Sequence, residues 1–150
     1  MSKIEEEIQQ KSFDNNYLKA HVNILFTASW LNNQISDALK DHQITTQQFN
    51  VLRILKGTAQ KPISVKDLTS RMIDRMSNAS RLVDKLVKKG YAHRTPSSTD
   101  RRRVDVILTP TGLICVNSAS LAVETKIDEI FNTISPEEAE KLSSLLDQIR

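Results

Sequence analysis

Ten Lys and Arg side chains fall between residues 71 and 103, against three acids, Asp74, Asp84 and Asp100. That stretch carries +7, whereas the whole chain, with 21 basic and 18 acidic residues, carries +3, so the remainder is mildly acidic. A positive block on an otherwise acidic chain is the electrostatic footprint of a phosphate backbone. The residue types interleaved with the charge extend that chemistry. Arg75, Ser77, Asn78, Ser80, Arg81 and Lys85 offer guanidinium, hydroxyl, amide and ammonium groups, which hydrogen-bond base edges as well as phosphate oxygens. Arg101, Arg102 and Arg103 follow Asp100 at the far end of the block.

Catalytic chemistry has little to work with. There is no Gly-rich phosphate loop, no constellation of paired carboxylates and no nucleophile beside an obvious base. His21, His42 and His93 are scattered, without the i, i+4 spacing of a zinc-enzyme helix. The single cysteine, Cys115, excludes a disulfide within one chain and a multi-cysteine zinc site, and reads as a structural thiol. Neither an enzyme nor a cofactor nor a metal is expected.

The elements that must hold these residues can be read from breakers and periodicity. Three glycines and four prolines in 150 residues leave the work to helices, in one domain with its own core. Residues 1–16 are acidic and polar, and read as a loosely ordered entry. They contain no apolar run, and no later stretch is long enough to span a bilayer, so a cytoplasmic protein is expected. From Tyr17 to Lys40 a helix carries two apolar arcs, one through Ile24, Ala28, Leu31, Ile35 and Leu39, the other through Leu18, Val22, Leu25, Phe26 and Trp30. A helix apolar over more than one face is buried on more than one side, and a second copy of the chain is the simplest cover. Thr45 and Ser64 are N-cap candidates for two short helices.

A helix over residues 75–90 follows, with Ala79, Leu82, Val83, Leu86 and Val87 on one face, the basic residues on the other, and Gly90 as its stop. Tyr91 to Thr95 and Arg103 to Leu108 pair as strands, Val104, Val106 and Leu108 pointing inward. The tip between them has nothing to bury and offers cations to a phosphate or a narrow minor groove. Two short helices and a hairpin make a winged helix-turn-helix. Pro110 opens a last long helix, and Ser135, Pro136 and Glu138 start another with a capping box. The fold class expected is mainly α with a small β-wing.

These residues resemble the MarR family of bacterial transcriptional regulators. The likeness is carried by Ser80 to Leu86 with Lys88, Lys89, Gly90 and Tyr91, and by Asp100, Arg101 and Arg102 with Val106, Leu108, Thr109 and Gly112. Met72 to Met76 departs from the pattern, where a small residue often forms the turn. The resemblance implies a homodimer, with residues 1–42 and 110–150 as dimerisation helices and residues 45–109 as the part that enters the major groove of a palindromic double-stranded DNA operator. It implies that Ser77, Asn78, Ser80 and Arg81 face DNA, that Asp100 braces the wing, and that one or more of Arg101, Arg102 and Arg103 contacts DNA. It also suggests a pocket for a small aromatic or phenolic ligand beside Phe26, Trp30 and Phe49, and hence a repressor released by that ligand. The alternative is a winged-helix module for protein interaction or thiol redox sensing, its basic face meeting an acidic partner.

Overall fold

The polar N-terminal stretch forms a first short helix, α1 (Ile4–Glu7), rather than a loose entry, in a computed structural model that describes residues 3–97 and 104–150. Ile4 is buried and Glu5 pairs with Lys19 at 2.5 Å, so one apolar side chain and one ion pair tie the segment down. Asn15 then caps α2 (Asn16–Ala38), its Oδ1 accepting from the Leu18 amide at 2.9 Å. A 3-10 turn (Lys40–His42) and Gln43, at φ +54°, swing the chain into the central part.

That part is built by side-chain caps, two of them, Thr45 and Ser64, as expected. Thr45 and Gln48 form a reciprocal capping box, at 3.2 and 3.1 Å, that starts α3 (Thr46–Gly57). Ser64 accepts from the Asp67 amide to start α4 (Val65–Arg71), and Asn78 does the same for Arg81 to start α5 (Ala79–Lys88). Each cap satisfies amides that the helix itself leaves unpaired, which stabilises by about 1 kcal/mol. Gly90, at φ +74°, takes the left-handed position that ends α5.

Three antiparallel strands close the unit: β1 (Ile63–Ser64), β2 (Ala92–Pro96) and β3 (Val104–Leu108), in the order β1-β3-β2. The two-residue β1 could not stand alone; it survives by pairing Ile63 with Val106 in β3. Val106 and Leu108 point inward as their alternation demands. Val104 shares their face yet is 45% exposed, because the strand there has run past the helices into the wing. The remainder of the wing, with Asp100, Arg101, Arg102 and Arg103, lies outside the described residues.

Val51, Leu52 and Leu55 of α3, Leu68 of α4, Val83 and Leu86 of α5 and Val106 of β3 form a core closed to water. The long helix α6 (Pro110–Phe131) adds Val116, Ala119 and Val123 to it. The junction before α6 is tight. Thr109 Oγ1 donates to the Gly90 carbonyl at 2.7 Å and accepts from the Gly112 amide at 2.9 Å, while its own amide donates to the Tyr91 carbonyl at 3.1 Å. Helix α7 (Pro136–Asp147) begins at the expected capping box of Ser135 and Glu138. In contrast to the centre, neither α2 nor α7 buries a single residue in the chain as it stands alone. Among the described residues no helix is long and apolar enough to cross a membrane.

Candidate nucleic-acid interface

Helix α5 begins at Ala79, four residues later than the basic composition suggested. Arg75, Ser77 and Asn78 therefore stand in the turn that precedes it. The reason is local competition: Asp74 folds the turn around its own carboxylate, accepting from the Met76 amide at 3.0 Å and from the Ser77 hydroxyl at 2.6 Å. An Asp side chain that bonds forward in this way offers the backbone an alternative to helix. Asn50 of α3 fixes the other end of the turn, its Oδ1 accepting from the Ile73 amide at 3.0 Å.

These hydrogen bonds, the Ser77 hydroxyl first and then the Met76 amide, hold the Asp74 carboxyl below its ordinary value. A carboxylate with a lowered folded pKa stabilises above its unfolded value and loses that contribution as pH falls through the folded one. The amides of Met76 and Ser77 should therefore exchange faster with solvent as pH drops below about 4, relative to an Asp74→Asn variant, in which that dependence should vanish. Amide exchange after correction for intrinsic rates checks it.

Ser77, Asn78, Arg81 and Lys85 come together around one open groove of about 330 Å³, whose other walls are Leu82 and Gln47 of α3. The Asn78 carbonyl oxygen is used as the cap, which leaves its NH₂ to donate outward. Arg81 and Lys85 are exposed along the same side of α5, one turn apart. Ser80 turns elsewhere. Its hydroxyl accepts from Arg94 Nη2 of β2 at 3.2 Å, and the same guanidinium pairs with Asp84 at 2.7 Å. Arg94 thus pins the wing strand to α5, and both acids in the described part of the basic block are occupied. Lys89, at the other end of α5, donates to the Gln43 carbonyl.

Two contributors are invisible to sequence spacing. Gln47 belongs to a different helix and is polar like its neighbours, so nothing in its position marks it. Arg94 and Asp84 are of opposite charge, but only the strand register brings them together. The three aromatic residues expected around a ligand are divided. Phe49 lies in the core with the Arg53 guanidinium 5.9 Å from its ring centre, while Phe26 and Trp30 are exposed on α2. Cys115 is half-buried against the core beside Tyr91, whose phenol is pushed up chiefly by burial and further by that thiol.

Three short helices, the third pinned to a three-stranded wing with its polar side over a cationic groove, define a winged helix-turn-helix protein. Residues 44–104 match the model of the MarR family. The multiple antibiotic resistance protein MarR of Escherichia coli K12 is 30% identical over 117 residues, covering 77% of this chain and 79% of that protein. The chain belongs to the MarR family of winged-helix, DNA-binding transcriptional regulators. Its fold superposes on AbsC, a MarR family regulator from Streptomyces coelicolor, with a TM-score of 0.80 at 20% identity, over 93% of this chain and 95% of AbsC. It likewise superposes on the MepR–DNA complex of S. aureus, with a TM-score of 0.77 at 21% identity, over 92% of this chain and 97% of MepR.

Proposed function

We propose that the chain is a homodimeric, sequence-specific repressor whose two winged helices enter successive major grooves of a palindromic operator, and that a small aromatic or phenolic ligand releases it. The observation that carries the dimer is the exposure of α2 and α7. Leu25 and Trp30 on α2, Leu142 and Leu145 on α7, and Ile149 just beyond it stand in water, and neither helix has a fully buried residue within the chain. At roughly 25 cal/mol per Å² of apolar surface, covering these faces with their own symmetry mates stabilises strongly. A two-fold axis through these helices then presents two copies of α5, and recognition of half-sites ~34 Å apart follows from that symmetry.

Repression and release rest on the geometry of the assembly. A ligand held near Phe26, Trp30 and Phe49 would change the separation of the two α5 helices and break the match to the half-sites. Arg81, Lys85, Ser77 and Asn78 are the α5-side contacts in this reading, Arg75 contacts phosphate from the turn, and Arg101, Arg102 and Arg103 approach the minor groove with Asp100 bracing the wing. Ser80 serves through Arg94. That MepR forms a complex with DNA on the same fold supports the reading.

Selection of bound duplexes from a random pool tests it, followed by a salt titration on the winner. A palindrome is expected, with log affinity falling against log salt at about −0.9 per phosphate contact, hence a slope of about −5 or steeper for a dimer. A shallow slope, or no duplex preferred over random sequence, overturns it.

A further inference from the structure

Two large apolar side chains stand almost wholly in water at the tip of the turn between α4 and α5: Ile73 is 90% exposed and Met76 is 94% exposed. They are not frayed ends. The Ile73 amide is held by Asn50 and the Met76 amide by Asp74, so the turn that carries them is fixed from both sides. A rigid turn that displays Ile and Met exposes apolar surface which a polar pair would have avoided. The pair brackets Arg75, follows Arg71 at the end of α4, and leads directly into Ser77 and Asn78 on the wall of the cationic groove.

An apolar partner surface would have to accept Arg71 and Arg75 as well. The major groove of DNA accepts both kinds of group, since phosphates flank it and the 5-methyl groups of thymines line its floor. We propose that Met76, with Ile73 beside it, is a specificity-determining residue that reads thymine methyl groups in the operator. This rests on the DNA-binding reading above and extends it to a second kind of contact. The groove residues hydrogen-bond to base edges and phosphates, while the turn adds apolar recognition of A·T pairs. Methionine is well suited to such a contact, because its unbranched thioether adapts to the position of a methyl group that a branched side chain would meet or miss.

The experiment replaces thymines one at a time by deoxyuridine in the duplex selected by the wild-type protein. Only the 5-methyl group is lost, and it lies in the major groove, so wing contacts in the minor groove do not respond. Wild-type affinity should fall about fourfold for each methyl group that Met76 or Ile73 covers. Met76→Ala and Ile73→Ser should bind the thymine duplex more weakly and be indifferent to the same deoxyuridine substitutions. Both positions are exposed, and an unchanged thermal midpoint confirms that the variants fold. If the wild-type protein holds every substituted duplex equally well, or if both variants keep its full sensitivity, the thymine contact is wrong while selective DNA binding stands. Variants that change oligomeric mass and leave DNA affinity untouched would mark the pair as a protein contact and likewise overturn it. Failure to prefer any duplex overturns the DNA-binding reading and this one together.

Discussion

Gly112→Ala should lower thermal stability by about 2–4 kcal/mol, a fall in midpoint of roughly 5–15 °C for a chain of this size. A Cβ built at Gly112 would stand 2.0 Å from the Tyr91 carbonyl oxygen and 2.9 Å from Leu108 Cδ1. The first contact is with backbone and cannot be relieved by a rotamer change. Either α6 must retreat or Tyr91 must move, and each route strains the bonds that Thr109 makes to Gly90 and Tyr91. Alanine's better helix propensity offsets the loss by at most about 1 kcal/mol. Gly57→Ala is the control: a Cβ there meets nothing within 4 Å, so its effect should be small and of either sign. Equal midpoints for the two variants, by circular dichroism melting, would refute the close approach.

Arg81→Glu should reduce affinity for the selected duplex by about a hundredfold or more at 0.1 M salt, with the thermal midpoint and oligomeric mass unchanged. Arg81 is exposed on the wall of the groove and pairs with no acid among the described residues, so the fold of those residues does not depend on its charge. Reversal removes a donor and sets a carboxylate against phosphate oxygens, and repulsion adds to the lost contact. Binding isotherms on the selected duplex measure it. Retained binding would point to the rival reading, in which the basic face meets an acidic protein and the same substitution abolishes that capture instead.

The helices that sequence chemistry locates well are those with caps. Thr45, Ser64 with Asp67, and Ser135 with Pro136 and Glu138 start helices, and Gly90 ends one, within a residue of where their chemistry puts them. These signals act over three or four residues and need no fold to be read. The start of α5 departs from expectation because Asn78 caps the helix rather than joining it, and only the folded turn shows where Asp74 bends the backbone. Long-range order is less legible still. β1 exists only because β3 comes back to it, Arg94 meets Asp84 only through the register of β2 beside α5, and Gln47 reaches the groove only because α3 lies alongside. Of the interface, the cations and the polar side of α5 are visible from composition and period. What they lean on is not. The apolar excess of α2, by contrast, reads directly from its two arcs, and the exposure of that helix matches it.

The Thr109–Gly112 joint has a mechanical consequence. Because Thr109 fastens the first turn of α6 to Gly90 and Tyr91, just past the end of α5, α5 and the base of α6 turn as one body. The 22 residues of α6 make an arm about 33 Å long at 1.5 Å per residue. Tilting that arm by about 5° about its far end sweeps α5 through about 3 Å, close to the rise of one base pair. A small swivel among the terminal helices is thereby geared up, without any bending of the winged part, into a displacement as large as a step along the double helix.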